Sequence, residues 1–213
     1  KKKNNINLDV IIDEGVNIPV INYNKNPSKI GNLKIQFEIF KKYFFFKNID
    51  YKEGANKINV RNLKLSKKKL VSIDELSVYT LNGEKVNNDF KLSLKNNLII
   101  KGKNYDSKNL NRIFNNSNNN TLFSNTNAEV KISFDKITTK LSKQLENFNL
   151  IGKIQRGKFV KINAKGDFNN KEHIDISLKK DSKSEKKYLE IYSDIPEVLL
   201  ADYDFFQGLS GGK

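Results

Sequence analysis

The strongest constraint on the fold is an alternation of apolar and polar residues that recurs along the chain. In NLKIQFEIF (32–40) every second residue from Leu33 to Ile39 is apolar, and the residues between them are Lys, Gln and Glu. The same pattern occurs in VKISF (130–134) and HIDISLK (173–179). Successive side chains of a β-strand point to opposite faces of the sheet. The alternation therefore predicts strands with one dry face and one wet face.

The alternation also predicts how the strands are arranged. Parallel sheets of α/β proteins are buried on both faces and have continuous apolar runs, which this chain does not show. Turn signals such as Asn82-Gly83 and Arg156-Gly157 separate the alternating runs. We therefore predict a mainly β protein whose sheet is an antiparallel meander.

Two segments have helical rather than strand spacing. In YDSKNLNRIFN (105–115), Asp106 or Ser107 can cap a helix, and apolar residues follow at i, i+3 and i+4. The segment 194–207 has Pro196 in its first turn, where proline is tolerated. Both are predicted to be short amphipathic helices.

The chain offers little that would support catalysis or metal binding. It has no Cys and a single His, His173, so thiolate and multi-His zinc sites are excluded for this chain. It contains no glycine-rich phosphate loop and no Gly-x-Ser-x-Gly elbow. We expect a protein that is not an enzyme and uses neither a cofactor nor a metal ion.

The net charge of +15 suggests two alternative partners, a nucleic acid or an anionic membrane. Of the 39 cations 36 are Lys, whereas nucleic-acid readers favour Arg for its bidentate geometry. The clusters Lys67-Lys68-Lys69 and 179–187 lie at turns between apolar runs. We interpret them as solvated turns, and lysines at the strand rims as possible contacts for anionic headgroups.

The chain divides into three parts. Residues 1–114 are a β-rich part ending in the first helix, 115–127 are an Asn-rich loop or linker, and 128–213 are a second β segment with the helix 194–207. The chain has no Met, and we expect it to be an internal or C-terminal fragment of a longer protein.

Three stretches, taken in order, carry a resemblance to a known family. LIIKGKNYDSKNLNRIF (98–114) has a strand, a Gly, an aromatic-Asp-small motif and a short helix. LIGKIQRGKFVKINAKGDF (150–168) has two strands around a Gly turn, and LEIYSDIPEVLLADYDFFQGLSGGK (189–213) has a strand, Ser-Asp, a Leu-Leu helix and Gly-Gly. This order is similar to the C-terminal region of AsmA-like proteins, in the YhdP-type branch related to TamB, over roughly residues 58–213.

The resemblance implies a fold, a function and a location. The implied fold is a long, curved, taco-like sheet with an apolar groove. The implied function is non-enzymatic transport of phospholipid between the inner and outer membranes, with the acyl chains of the phospholipid as the binding partner. The implied location is the periplasm, with an inner-membrane anchor in a segment absent from this chain.

The apolar side of the strands supplies the candidate groove residues. An acyl chain needs no specific polar pocket, only a continuous apolar strip, because each methylene removed from water is worth about 0.8 kcal/mol. The alternatives are a structural β-rich scaffold of a cell-envelope assembly, with these residues in a closed core, and a basic nucleic-acid-binding module. The lipid-groove candidates are Ile35, Phe37, Ile39, Leu92, Leu94, Ile132, Phe134, Val160, Ile162, Ile174, Ile176, Leu189 and Ile191.

Overall fold

The computed structural model describes residues 4–109, 126–140, 144–168, 172–180 and 186–195, and most of them are in β-strands. The strands are β1 (Asn4–Ile12), β2 (Val16–Ile18), β3 (Tyr23–Lys25), β4 (Gly31–Ile39), β5 (Phe44–Glu53), β6 (Asn56–Ser66), β7 (Lys69–Asn82), β8 (Lys85–Leu94), β9 (Asn97–Asp106), β10 (Ala128–Thr138), β11 (Gln144–Gln155), β12 (Lys158–Phe168), β13 (Glu172–Lys180) and β14 (Lys187–Ser193).

Twelve of the strands form one open sheet in the order β1-β4-β5-β6-β7-β8-β9-β10-β11-β12-β13-β14. After β1, each strand lies beside the next strand in the chain, which is the topology of a meander. The remaining two strands, β2 and β3, pair with each other in a small separate sheet. The prediction of a mainly β antiparallel meander is confirmed for this long sheet.

One pair of neighbours departs from the antiparallel pattern. Strands β9 and β10 are parallel, with Leu98 opposite Val130 and Ile100 opposite Ile132. A parallel connection needs a crossover of a dozen residues or more, and the segment 107–127 between the two strands is long enough to supply it. The pair joins the first and third predicted parts of the chain in one sheet. The division at 115–127 stays a prediction, since 115–125 lie outside the described residues.

The two predicted helices are not supported, and no α-helix occurs in the described ranges. In the first, Tyr105 and Asp106 are the last residues of β9 instead of a helix start. The strand continues there because Tyr105 pairs with Ile137 and its ring stacks on Phe134 with centroids 5.3 Å apart. Residues 110–115, and 196–207 of the second predicted helix, lie outside the described part of the chain.

The segment between β1 and β4 folds back onto the sheet as a small unit. It consists of β2, a 3₁₀ turn over Pro19–Ile21 and β3. Asn22 ends the turn in the left-handed conformation with φ 46°, which Asn adopts more readily than most residues. We call this unit, residues 13–30, the cap.

Candidate functional site: the apolar face of the sheet

Strand register places apolar residues on the same face across the whole sheet. Residues directly opposite one another in neighbouring strands point to the same side. From the β1 edge, Leu8 lies opposite Ile35, and Ile35 lies opposite Ile49. Towards the other edge, Ile176 lies opposite both Ala164 and Ile191. We call this side the apolar face and the opposite side the polar face.

The structure places the predicted groove residues together on the apolar face. The strand register shows that twelve of the thirteen side chains lie on the apolar face. The thirteenth, Val160, lies in a bulge of β12, where it lines a hollow with Ala128 and Ile154. Of the thirteen, Leu94, Phe134 and Ile174 are buried, whereas Ile39, Leu189 and Ile191 are exposed. The half-buried members are Ile35, Phe37, Leu92, Ile132, Val160, Ile162 and Ile176.

Large side chains of the apolar face are exposed at both edges of the sheet. Leu8 and Val10 of β1 are 44% and 40% exposed, and Leu189 of β14 is 55% exposed. Neither edge strand has a second neighbour among the described residues. Large apolar side chains are therefore in contact with solvent along both ends of a continuous apolar surface, an arrangement that marks interaction surfaces in soluble proteins.

The polar face is covered by charged side chains that pair between neighbouring strands. Examples are the ion pairs Lys34–Asp9 at 3.3 Å, Lys91–Glu75 at 2.9 Å and Lys165–Asp175 at 3.1 Å. Exposed pairs of this kind each contribute little to stability. Their effect is to keep this face wet, so that the two faces of the sheet differ sharply in polarity.

The cap covers the apolar face at one rim of the sheet. Ile21 and Tyr23 of the cap pack against Tyr51, Val78 and Phe90, all of which are buried. Among the described residues, the cap is the only secondary structure outside the long sheet. Elsewhere, no second sheet of described residues covers the apolar face.

Asn88 fixes the cap to the sheet through a fully buried amide. Its Nδ2 donates hydrogen bonds to the Ile21 carbonyl at 2.7 Å and to Thr80 Oγ1 at 2.8 Å. Its Oδ1 accepts the Asp106 backbone N–H at 3.0 Å. The amide thus joins the cap, β7 and β9. Sequence reasoning missed this residue, because an Asn at a strand position in an Asn-rich chain carries no distinguishing signal.

A second polar contact anchors Tyr23 of the cap. Its hydroxyl lies 2.8 Å from that of Tyr51 and donates to Glu53 Oε2 at 3.0 Å. Burial, and then the hydrogen bonds to Tyr51 and Glu53, raise the pKa of Tyr23 above its ordinary value. Tyr23 therefore stays neutral at any physiological pH and holds the cap as a hydrogen-bonding group.

Gly102 lets two aromatic rings meet across the strand that separates them. Phe90 in β8 and Phe134 in β10 flank Gly102 of β9 on the apolar face, with ring centroids 5.8 Å apart. A Cβ at position 102 would lie 2.3 Å from Phe90 Cβ and 2.8 Å from Phe134 Cε1. Only glycine fits between these rings.

The two rims of the sheet differ in charge. At the rim beside the cap, the cap and the described turns contain four lysines and four carboxylates. These are Lys25, Lys29, Lys108, Lys140, Asp13, Glu14, Glu84 and Asp194. At the opposite rim, the described turns 40–43, 67–68, 95–96, 126–127 and 156–157, with Lys186, contain seven cations and no carboxylate. The seven are Lys41, Lys42, Lys67, Lys68, Lys95, Arg156 and Lys186. We call this opposite rim the lysine rim.

The single histidine has a partner that the sequence did not indicate. His173 Nδ1 lies 2.7 Å from Asp167 Oδ1 on the polar face, and this hydrogen bond lowers the pKa of Asp167. Within the described ranges, no group of three or more His, Asp or Glu side chains is placed to hold a metal ion. In the same part of the chain, no helix has the length and apolarity to cross a membrane.

Comparison with known proteins gives no match. No family model, no curated protein and no solved structure is similar to this chain. The resemblance to AsmA-like proteins therefore stays a prediction drawn from the three sequence stretches.

Proposed function

We propose that the apolar face binds the acyl chains of phospholipids, and that the chain is a non-enzymatic lipid-binding segment of an AsmA-like envelope protein. The observation that carries the proposal is the continuous apolar face of a twelve-stranded sheet, which described residues outside the sheet cover at the cap and at Ile195. In this proposal the sheet is curved, and the apolar face is the lining of a groove. Transport of phospholipid between the inner and outer membranes, in the periplasm, follows from the AsmA-like resemblance.

The dimensions of the face suit this ligand. Twelve strands spaced about 4.8 Å apart extend over about 50 Å. One leaflet of a bilayer has a hydrocarbon thickness of about 15 Å, so several acyl chains fit along the face. Removing a sixteen-carbon chain from water contributes about 12 kcal/mol before ordering costs are subtracted. A strip of apolar side chains therefore binds lipid without a specific polar pocket.

The first test uses two neighbouring residues of β11 that point to opposite faces. Leu150 lies on the apolar face between Ile132 and Ala164, whereas Ile151 lies on the polar face and is 62% exposed. We expect Leu150→Asp to weaken uptake of a fluorescent phosphatidylcholine from vesicles at least tenfold, because a carboxylate in contact with an acyl chain is poorly solvated. The uptake is measured by dequenching of the fluorophore.

The matched control is Ile151→Asp, which introduces the same charge one residue away. We expect it to leave uptake unchanged. Equal uptake by Leu150→Asp and Ile151→Asp would show that the apolar face does not bind the lipid.

A structural scaffold is the second candidate function, and the buried cluster under the cap favours it. Tyr23, Val78 and Phe90 pack there as an ordinary protein core. If the whole apolar face served only as a core, Leu150→Asp would unfold the chain. In the lipid-binding protein we expect the variant to retain the circular dichroism spectrum of the wild type, since the described residues outside the sheet leave much of this face uncovered.

A further inference from the structure

The lysine rim has a hollow whose lining combines cations with apolar side chains. It lies where β10, β11, β12 and β14 reach this rim. Its cations are Lys153, Arg156, Lys158 and Lys187, and Ala128, Ile154 and Val160 continue the apolar face into it. A lining of this kind is complementary to a ligand with an anionic group at one end and hydrocarbon at the other.

Two of the four cations are available to such a ligand. Lys153 forms an ion pair with Glu129 at 3.2 Å, and Lys187 Nζ donates to the Phe159 carbonyl at 2.7 Å. No carboxylate among the described residues forms an ion pair with Arg156 or Lys158. These two side chains flank Gly157 at the tip of the β11–β12 hairpin.

The backbone conformation of two turns at this rim is unfavourable for the cations that occupy them. Lys67 and Lys68 both have positive φ, 49° and 62°, and Arg156 has φ 51° followed by Gly157 at 74°. Two-residue hairpin turns with two positive φ values favour Asn-Gly. The chain has 32 Asn available to its turns, yet these two turns carry Lys-Lys and Arg-Gly. Strained residues of this kind cluster at functional sites.

We propose that the hollow at the lysine rim binds the phosphate of an anionic phospholipid headgroup while the acyl chains of the same lipid lie on the apolar face. The inference rests on the proposed function and adds the headgroup class and the orientation of the lipid. Headgroups then lie at the lysine rim, because the opposite rim is balanced in charge and is covered by the cap.

The test compares two double variants of the full 213-residue chain that lose the same charge. Arg156→Asn with Lys158→Gln removes the two cations of the hollow that form no ion pair with a described carboxylate, and Asn suits the left-handed turn, so this variant is expected to fold. Lys57→Gln with Lys85→Gln removes two exposed lysines beside turns of the opposite rim. Co-flotation is measured at fixed ionic strength with phosphatidylcholine vesicles that contain or lack phosphatidylglycerol, and native mass spectrometry reports phosphatidylcholine uptake.

We expect the rim variant to lose about 25-fold in affinity for phosphatidylglycerol vesicles, at about fivefold per cation, and to keep phosphatidylcholine uptake. The control variant is expected to change by less than about threefold, a loss that reflects only the lower net charge. Equal losses in both variants would overturn the proposal, because the net charge of the chain would then explain the attraction. No loss in either variant would also overturn it.

Two further arms separate the possible outcomes. The first arm measures binding of inorganic phosphate, which carries the charge without acyl chains. If free phosphate binds as tightly as the vesicles do, and loses as much affinity in the Arg156 and Lys158 variant, the assignment to a lipid headgroup is wrong. If phosphatidylcholine is taken up without any preference for phosphatidylglycerol, the headgroup site is wrong and the proposed function stands. If no lipid is taken up while vesicle binding still depends on Arg156 and Lys158, the proposed function fails and the headgroup contact stands.

Discussion

Replacement of Asn88 by Ala is expected to lower the free energy of unfolding by about 4 kcal/mol. The substitution leaves the Ile21 carbonyl and the Asp106 N–H without the partner that each now has, whereas Thr80 Oγ1 keeps its hydrogen bond to Asn87 Oδ1. Unpaired buried groups of this kind cost about 1–3 kcal/mol each. The loss is a large fraction of the 5–15 kcal/mol that holds an ordinary domain together.

Thermal unfolding followed by circular dichroism measures the effect of Asn88→Ala. We expect the melting temperature to fall by about 12 °C, since 1 kcal/mol corresponds to about 3 °C in a chain of this size. The control is Asn24→Ala in the exposed part of β3 of the cap, which should melt within about 2 °C of the wild type. Similar melting temperatures for the two variants would contradict the proposed anchoring of the cap.

Gly102→Ala is expected to be the second most damaging substitution, at about 3 kcal/mol. Besides crowding the Phe90 side chain, the new Cβ would lie 2.5 Å from the Asp89 carbonyl oxygen. The backbone of β8 cannot move away without breaking its pairing with β9, and the contact between Phe90 and Phe134 would be lost. The melting temperature should fall by about 9 °C.

Gly15→Ala is the matched control for Gly102→Ala. A Cβ at position 15 would have ordinary contacts, the nearest at 3.5 Å to Pro27, and the residue is exposed. We expect no measurable loss of stability. If Gly102→Ala is as stable as Gly15→Ala, then Phe90 and Phe134 do not meet across β9 in the way described.

The strands were predictable from the sequence because a single physical rule generates the pattern. A strand of a one-sided sheet must alternate, and the runs around Ile35, Leu92, Ile132 and Ile176 all lie in strands. The same rule predicted which side chains share a face. Alternation does not encode the partner of a strand, however, so the parallel pairing of β9 and β10 was not anticipated.

The predicted start of the first helix was wrong and the cap was missed, for different reasons. Apolar spacing at 105–115 resembled a helix, but Tyr105 gains more from pairing with Ile137 and stacking on Phe134 than from local helical bonds. The cap has short strands, a 3₁₀ turn and few residues per element, so no periodicity develops within it. Its position depends on contacts such as Asn22 Nδ2 to Asp106 Oδ2, which join residues far apart in sequence.

The apolar part of the candidate site was predictable, whereas for the charged part the sequence indicated lysines at the strand rims but not which rim has the excess of cations. Residues such as Phe134 and Ile162 follow from the alternation alone. The lysine rim could not be recognised from the sequence because 36 Lys are spread along the chain. The strand directions are needed to separate two groups of lysines. Lysines on the polar face lie beside carboxylates, as Lys91 does beside Glu75. Cations in the turns of one rim have no carboxylate in the described turns of that rim.

Native mass spectrometry of the purified chain tests most directly whether lipid covers the apolar face. We expect the wild-type protein to carry adducts with the mass of a phospholipid, or to acquire them after incubation with vesicles, and Leu150→Asp to carry fewer. A wild-type chain that is free of lipid both as purified and after incubation with vesicles would contradict lipid binding by this face.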